Sequence, residues 1–142
     1  MPMHSDAVER LLRQAGWYEG RRVDLSPWES QETPFPAARE VLAEFGGLVI
    51  GETGPGIDLA KSDVDLRFMR PSPSSDPNPY ESFEREIGER LYWLGMVHRE
   101  NAELVIGESG RVYDVFDELL FIAPTFSAAL ESLLLGKRWT GS

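Results

Sequence analysis

Phe45-Gly46-Gly47-Leu48 makes a helix end and a strand begin within four residues, which limits the topologies open to this chain. A glycine after the last helical turn can take the left-handed conformation that caps a helix, and a second one frees the chain to reverse. Upstream, Phe35, Ala38, Leu42 and Phe45 form an apolar stripe at helical spacing. Thr33 followed by Pro34 predicts an N-cap and a first-turn proline for that helix, with Pro36 still inside the turn that lacks internal N–H bonds. Downstream, Leu48-Val49-Ile50 reads as a short buried strand.

The rest of the chain is placed by periodicity. Val8, Leu11, Leu12 and Ala15 recur at helical intervals, with Asp6 and Glu9 as a loose capping box and Gly16 as the stop, so the first helix is predicted over 6–15. A short strand is predicted near 21–25, and Val64-Asp65-Leu66-Arg67-Phe68 alternates as a strand with one wet face. The four prolines at 71, 73, 77 and 79 make that segment a loop. Asn78-Pro79 then starts a helix over 79–91 whose stripe is Tyr80, Phe83, Ile87 and Leu91.

At Tyr92 the apolar period changes from about 3.6 to about 2. Tyr92–Val97, Glu103–Ile106, Arg111–Phe116 and Leu119–Ile122 are separated by gaps that admit only tight turns, which is the pattern of an antiparallel meander. Thr125 caps a last helix with Phe126, Ala129, Leu130, Leu133 and Leu134 inward, and Gly136 ends it. The expected architecture is one α+β domain over residues 1–142, with a mainly antiparallel twisted sheet of about six strands flanked by about four helices.

Composition bounds the function. No cysteine is present, so disulfides and thiolate metal sites are excluded, and no apolar run approaches the roughly 18 residues of a membrane helix. The expectation is a cytoplasmic protein with no membrane partner. Twenty-four acidic against fourteen basic residues give a formal charge of −10, which repels nucleic acid and attracts basic protein surfaces.

Catalytic motifs fail on spacing. Gly51-Glu52-Thr53-Gly54-Pro55-Gly56 follows a strand, but no Gly-Lys-Ser/Thr lies at P-loop distance, and Glu52 and Asp58 would repel phosphate. Gly107-Glu108-Ser109-Gly110 lacks the spacing of a nucleophile elbow and precedes a strand, so it reads as a hairpin turn. His4 and His98 are far apart and read as surface histidines. Asp58, Asp63 and Asp65 do not match a calcium loop. No catalytic residue, cofactor or metal site is expected, and the chain is not read as an enzyme.

Gly16-Trp17, Arg21, Phe45-Gly46-Gly47-Leu48, Gly95, Gly110, Tyr113 and Gly136 together resemble the SUKH superfamily of bacterial immunity proteins, and within it the third subfamily, over roughly residues 10–138. The resemblance implies the SUKH (Smi/Knr-like) fold. It also implies a cognate polymorphic toxin as partner, neutralised by binding and occlusion without catalysis. A regulatory protein–protein interaction module of the same fold is the alternative. With the acidic charge, it points to a toxin with a basic functional site, met by Glu52, Asp58, Asp63 and Asp65 on loops and a wet strand face, with Trp28 as an aromatic anchor.

Overall fold

The computed structural model describes residues 4–30, 32–67 and 79–139. Six strands lie in chain order across one sheet, and every neighbouring pair is antiparallel. They are β1 (Val49–Ile50), β2 (Val64–Asp65), β3 (Leu91–Val97), β4 (Ala102–Gly107), β5 (Val112–Val115) and β6 (Leu119–Ala123). Five helices accompany them: α1 (Asp6–Gln14), α2 (Ser26–Glu29), α3 (Pro36–Phe45), α4 (Glu81–Ile87) and α5 (Phe126–Leu135). The α+β architecture and the meander from β3 to β6 follow the sequence pattern. The proline-rich loop lies almost wholly outside the described residues.

The details show local chemistry deciding between alternatives. The strand expected near 21–25 is absent. There Asp24 accepts hydrogen bonds from the Ser26 N–H (3.1 Å) and hydroxyl (2.7 Å), and Pro27 sits in the first turn of the one-turn helix α2. That geometry and a residue without an N–H turn the chain away from a ladder. Helix α3 begins at Pro36 and not at Pro34, because Phe35 precedes a proline and is held extended at φ −73°, ψ 167°. Helix α4 ends at Gly88, so Leu91 belongs to β3.

The turn at Phe45-Gly46-Gly47-Leu48 is built as a cap with an outside partner. Gly46 leaves the helix at φ −54°, ψ 137°, and it is Gly47 that takes the positive φ of 88°. The Arg21 guanidinium donates to the carbonyls of Glu44 (2.7 Å) and Gly46 (2.9 Å), satisfying acceptors at the negative end of α3. The released chain is caught at once: the Gly47 N–H donates to Leu66 O and the Leu66 N–H to Leu48 O, both at 2.8 Å. At Gly95, beside a bulge in β3, a Cβ would collide with the Asp65 carbonyl of β2, so only hydrogen fits there.

Two cores result. On one face of the sheet, Tyr92, Leu94, Val97, Leu104, Ile106 and Val112 pack with α1, α3 and α5 through Leu12, Leu42, Phe45, Leu130 and Leu134. On the other, Leu91, Trp93, Val105, Tyr113 and Val115 pack with Tyr80, and with the half-buried Phe83 and Ile87 of α4. The burial expected for Phe45, Leu48, Val105, Tyr113, Leu130 and Leu133 is met, whereas Ile87 is only half-buried.

Candidate protein-binding surface

The loop between β1 and β2, residues 51–63, has its backbone held by hydrogen bonds to α5 and across itself. Ile57 N–H donates to Leu135 O (2.9 Å), and the Asp58 and Leu59 N–H groups both donate to Gly136 O (2.8 Å). These bonds satisfy carbonyls left over at the C-terminal end of α5. Ser62 N–H donates to Leu133 O (2.7 Å), and Gly54 and Lys61 exchange backbone bonds across the loop. With its backbone engaged inward, the loop leaves Ile57 (68% exposed) and Leu59 (46%) exposed on either side of Asp58 in the chain, and Glu52 of the same loop is exposed too. Exposed apolar side chains and carboxylates on one backbone-anchored loop are the kinds of group a protein contact uses.

The five residues singled out from sequence divide sharply. Glu52 is highly exposed, with a long contact to Lys61 at 3.7 Å, and Asp58 is exposed while its carboxylate accepts the Arg138 N–H at 2.9 Å. Asp63 instead accepts the Arg99 N–H at 2.8 Å, and beside it the Ser62 hydroxyl accepts the His98 N–H at 2.8 Å. These two bonds hold a turn in which His98, Arg99 and Glu100 all have positive φ, a conformation costly for three consecutive non-glycine residues.

Asp65 and Trp28 are corrections to the expected surface. Asp65 is 5% exposed and Trp28 is 4% exposed. Strand β2 is flanked by β1 and β3, and Arg67 folds back onto Asp65 with bonds of 3.1 and 2.8 Å, so its expected wet side is covered. Burial pushes the Asp65 carboxyl up, but the hydrogen bonds and charge of Arg67 together outweigh it and hold the group below the ordinary carboxylate value. Trp28 lies in the main core, near Gly46, because α2 turns its ring inward and Tyr92 fastens that segment by donating to Glu32 O at 2.7 Å.

A cavity of about 270 Å³ opens beside α3 and the start of α5, lined among others by His4, Glu40, Glu44, Phe45, Thr125 and Phe126. Here the reading of His4 as a surface histidine fails. Its ring is half-buried, edge-on to Trp17 (6.0 Å) and Phe45 (5.9 Å). Burial lowers its pKa, against the opposing pull of Glu44, Glu9 and Glu131. Glu44 accepts the Trp17 indole N–H at 3.0 Å. His98 is exposed as expected, and its imidazole lies 4.0 Å from Asp114, whose carboxyl burial pushes up.

Gly107-Glu108-Ser109-Gly110 is the hairpin turn between β4 and β5, where Glu89 accepts the N–H (2.7 Å) and hydroxyl (2.8 Å) of Ser109. Among the described residues no three His, Cys, Asp or Glu side chains converge as a metal site, and no helix is long and apolar enough to cross a membrane.

Sequence reasoning missed Ile57 and Leu59, and also Phe116, Leu120, Phe121 and Trp139, all strongly exposed. Periodicity says which side of an element is apolar, and it is silent on loop residues and edge strands. No curated protein and no solved structure matches the chain. A family model described as SUKH-3 immunity protein matches residues 4–136, nearly its whole length. Arg21, Gly47 and Gly95, residues that carry the resemblance, are the ones that cap α3, reverse the chain and let β2 approach β3, and the chain belongs to the SUKH-3 immunity protein family.

Proposed function

We propose that this protein binds a cognate toxin and neutralises it by covering the toxin's functional site, without catalysis, in the cytoplasm. Membership in an immunity family supports neutralisation. The observation that supports the mode of action is the β1–β2 loop, anchored through its backbone to α5 and carrying exposed Ile57 and Leu59 together with exposed Glu52 and Asp58. Such a preorganised loop loses little conformational freedom on docking, and its carboxylates steer a basic partner inward. The net charge of −10 extends that steering over the whole surface.

Glu52 and Asp58 keep their proposed contact role; Asp63, half-exposed, holds the Arg99 turn, and Asp65 and Trp28 are buried in the fold. The test uses the product of the adjacent gene, provided it carries a toxin domain, as an immobilised ligand. Wild-type protein is expected to bind it with an association rate that falls as salt rises, and Glu52→Lys with Asp58→Lys should lower that rate and flatten the salt dependence. Absence of binding would overturn neutralisation. Binding insensitive to the loop charges and to Ile57→Ala would move the contact elsewhere.

A further inference from the structure

The two edges of the sheet are guarded very differently. Strand β1 is two residues long, and so short an edge offers little template for pairing. Strand β6 is five residues, Leu119-Leu120-Phe121-Ile122-Ala123, with neither a charge nor a proline. Among the described residues no strand pairs with its outer side. Leu120 (53% exposed) and Phe121 (46%) lie at adjacent positions of the strand, so both faces of this edge offer apolar surface. Tyr113 and Trp139 stack edge-on against Phe121 at 5.8 and 5.6 Å, extending an aromatic row to the rim of the sheet.

We infer that β6 pairs with β6 of a second copy, antiparallel about a two-fold axis, joining two sheets into one. Full overlap of a five-residue strand with its own copy has one register, with Phe121 opposite Phe121, Leu119 opposite Ala123 and Leu120 opposite Ile122. Every cross-strand pair is then apolar. The register also carries the acidic turn Asp117-Glu118 of each copy toward Pro124 and Thr125 of the other, at the start of the ten-residue helix α5. Carboxylates are favoured at that positive helix end, and the two acidic turns are kept apart. This complementarity selects a second copy over an arbitrary strand. The like net charge of the two copies opposes approach at long range, so this association tightens with salt, opposite in sign to the capture of a basic toxin.

Sedimentation equilibrium of the full chain, from about 1 to about 500 µM, reads the result directly. The expected outcome is a reversible shift from 16.0 kDa to twice that mass, favoured by salt. Leu120→Lys, with folding checked by circular dichroism, should weaken the dimer roughly tenfold or more, since a lysine on an edge strand is one way natural edges block pairing. Hydrogen exchange on the wild-type chain should slow with concentration in the amides of 119–123. A single 16.0 kDa species throughout the range overturns the inference, and so does a dimer that leaves exchange at 119–123 unchanged.

Discussion

On one face of the sheet three helices lie over Leu94, Leu104 and Val112, and Leu12, Leu42 and Leu130 are sealed completely. On the other, among the described residues, one seven-residue helix lies over Trp93, Val105 and Tyr113, and no residue of that helix is itself fully buried. The difference separates two tasks. The first face holds the energy that specifies the fold, because sealed aliphatic groups are removed from water and pack on all sides. The β1–β2 loop and the β6 edge, outside both cores, are the surfaces proposed above to meet other proteins.

That contrast breaks most readily by truncation. Leu42→Ala, at a fully buried position on the first face, is expected to cost about 2–5 kcal/mol of unfolding free energy in denaturant titration. Ile87→Ala on the second face should cost about 1 kcal/mol or less. Equal costs would mean that the two faces share the stability and that the distinction is wrong.

A smaller effect sharpens the comparison through pH. His4 packs beside Trp17 and Phe45 with its pKa held below 6.5, so the unfolded chain binds the proton more readily than the folded one. Its contribution is fully present above pH 6.5 and is lost as pH falls through that value toward the folded pKa. The melting temperature should therefore drop between about pH 7 and 5, and His4→Phe should reduce that slope. Asp65 acts lower: its folded pKa is depressed below 3.8, so its stabilisation persists above that value and is lost as pH falls further. The acid limb of an unfolding profile should move to higher pH in Arg67→Ala.

The smallest effect on stability belongs to the loop. Glu52→Lys and Asp58→Lys should each shift unfolding by no more than about 0.5 kcal/mol, since both side chains are exposed. Charge reversal at Asp63 should instead destabilise the fold, because it releases the Arg99 N–H that holds a left-handed turn.

These cases explain how much was legible in the chain. The meander from Leu91 to Ala123 and helix α5 were legible because apolar period, tight turns, the Thr125 cap and Gly136 all agree. The segment at 21–30 was not, because local hydrogen bonding by Asp24 and the placement of Pro27 override a short β-like pattern. In the candidate surface, the acidic character of Glu52 and Asp58 was legible as loop composition. The inward turn of Asp65 was not, since alternation distinguishes two sides of a strand and cannot say that Arg67 will close over the polar one. Trp28 failed for a related reason: an aromatic ring between Pro27 and Glu29 looks exposed until α2 turns it against Gly46.

The most direct test of the central claim takes the product of the adjacent gene, provided it carries a toxin domain, and titrates its activity with this purified protein. Stoichiometric occlusion predicts activity that falls in proportion to added protein and vanishes near one equivalent. The same curve in the Glu52→Lys, Asp58→Lys variant should need a longer preincubation to reach that end point. Full toxin activity in the presence of excess wild-type protein would contradict the account.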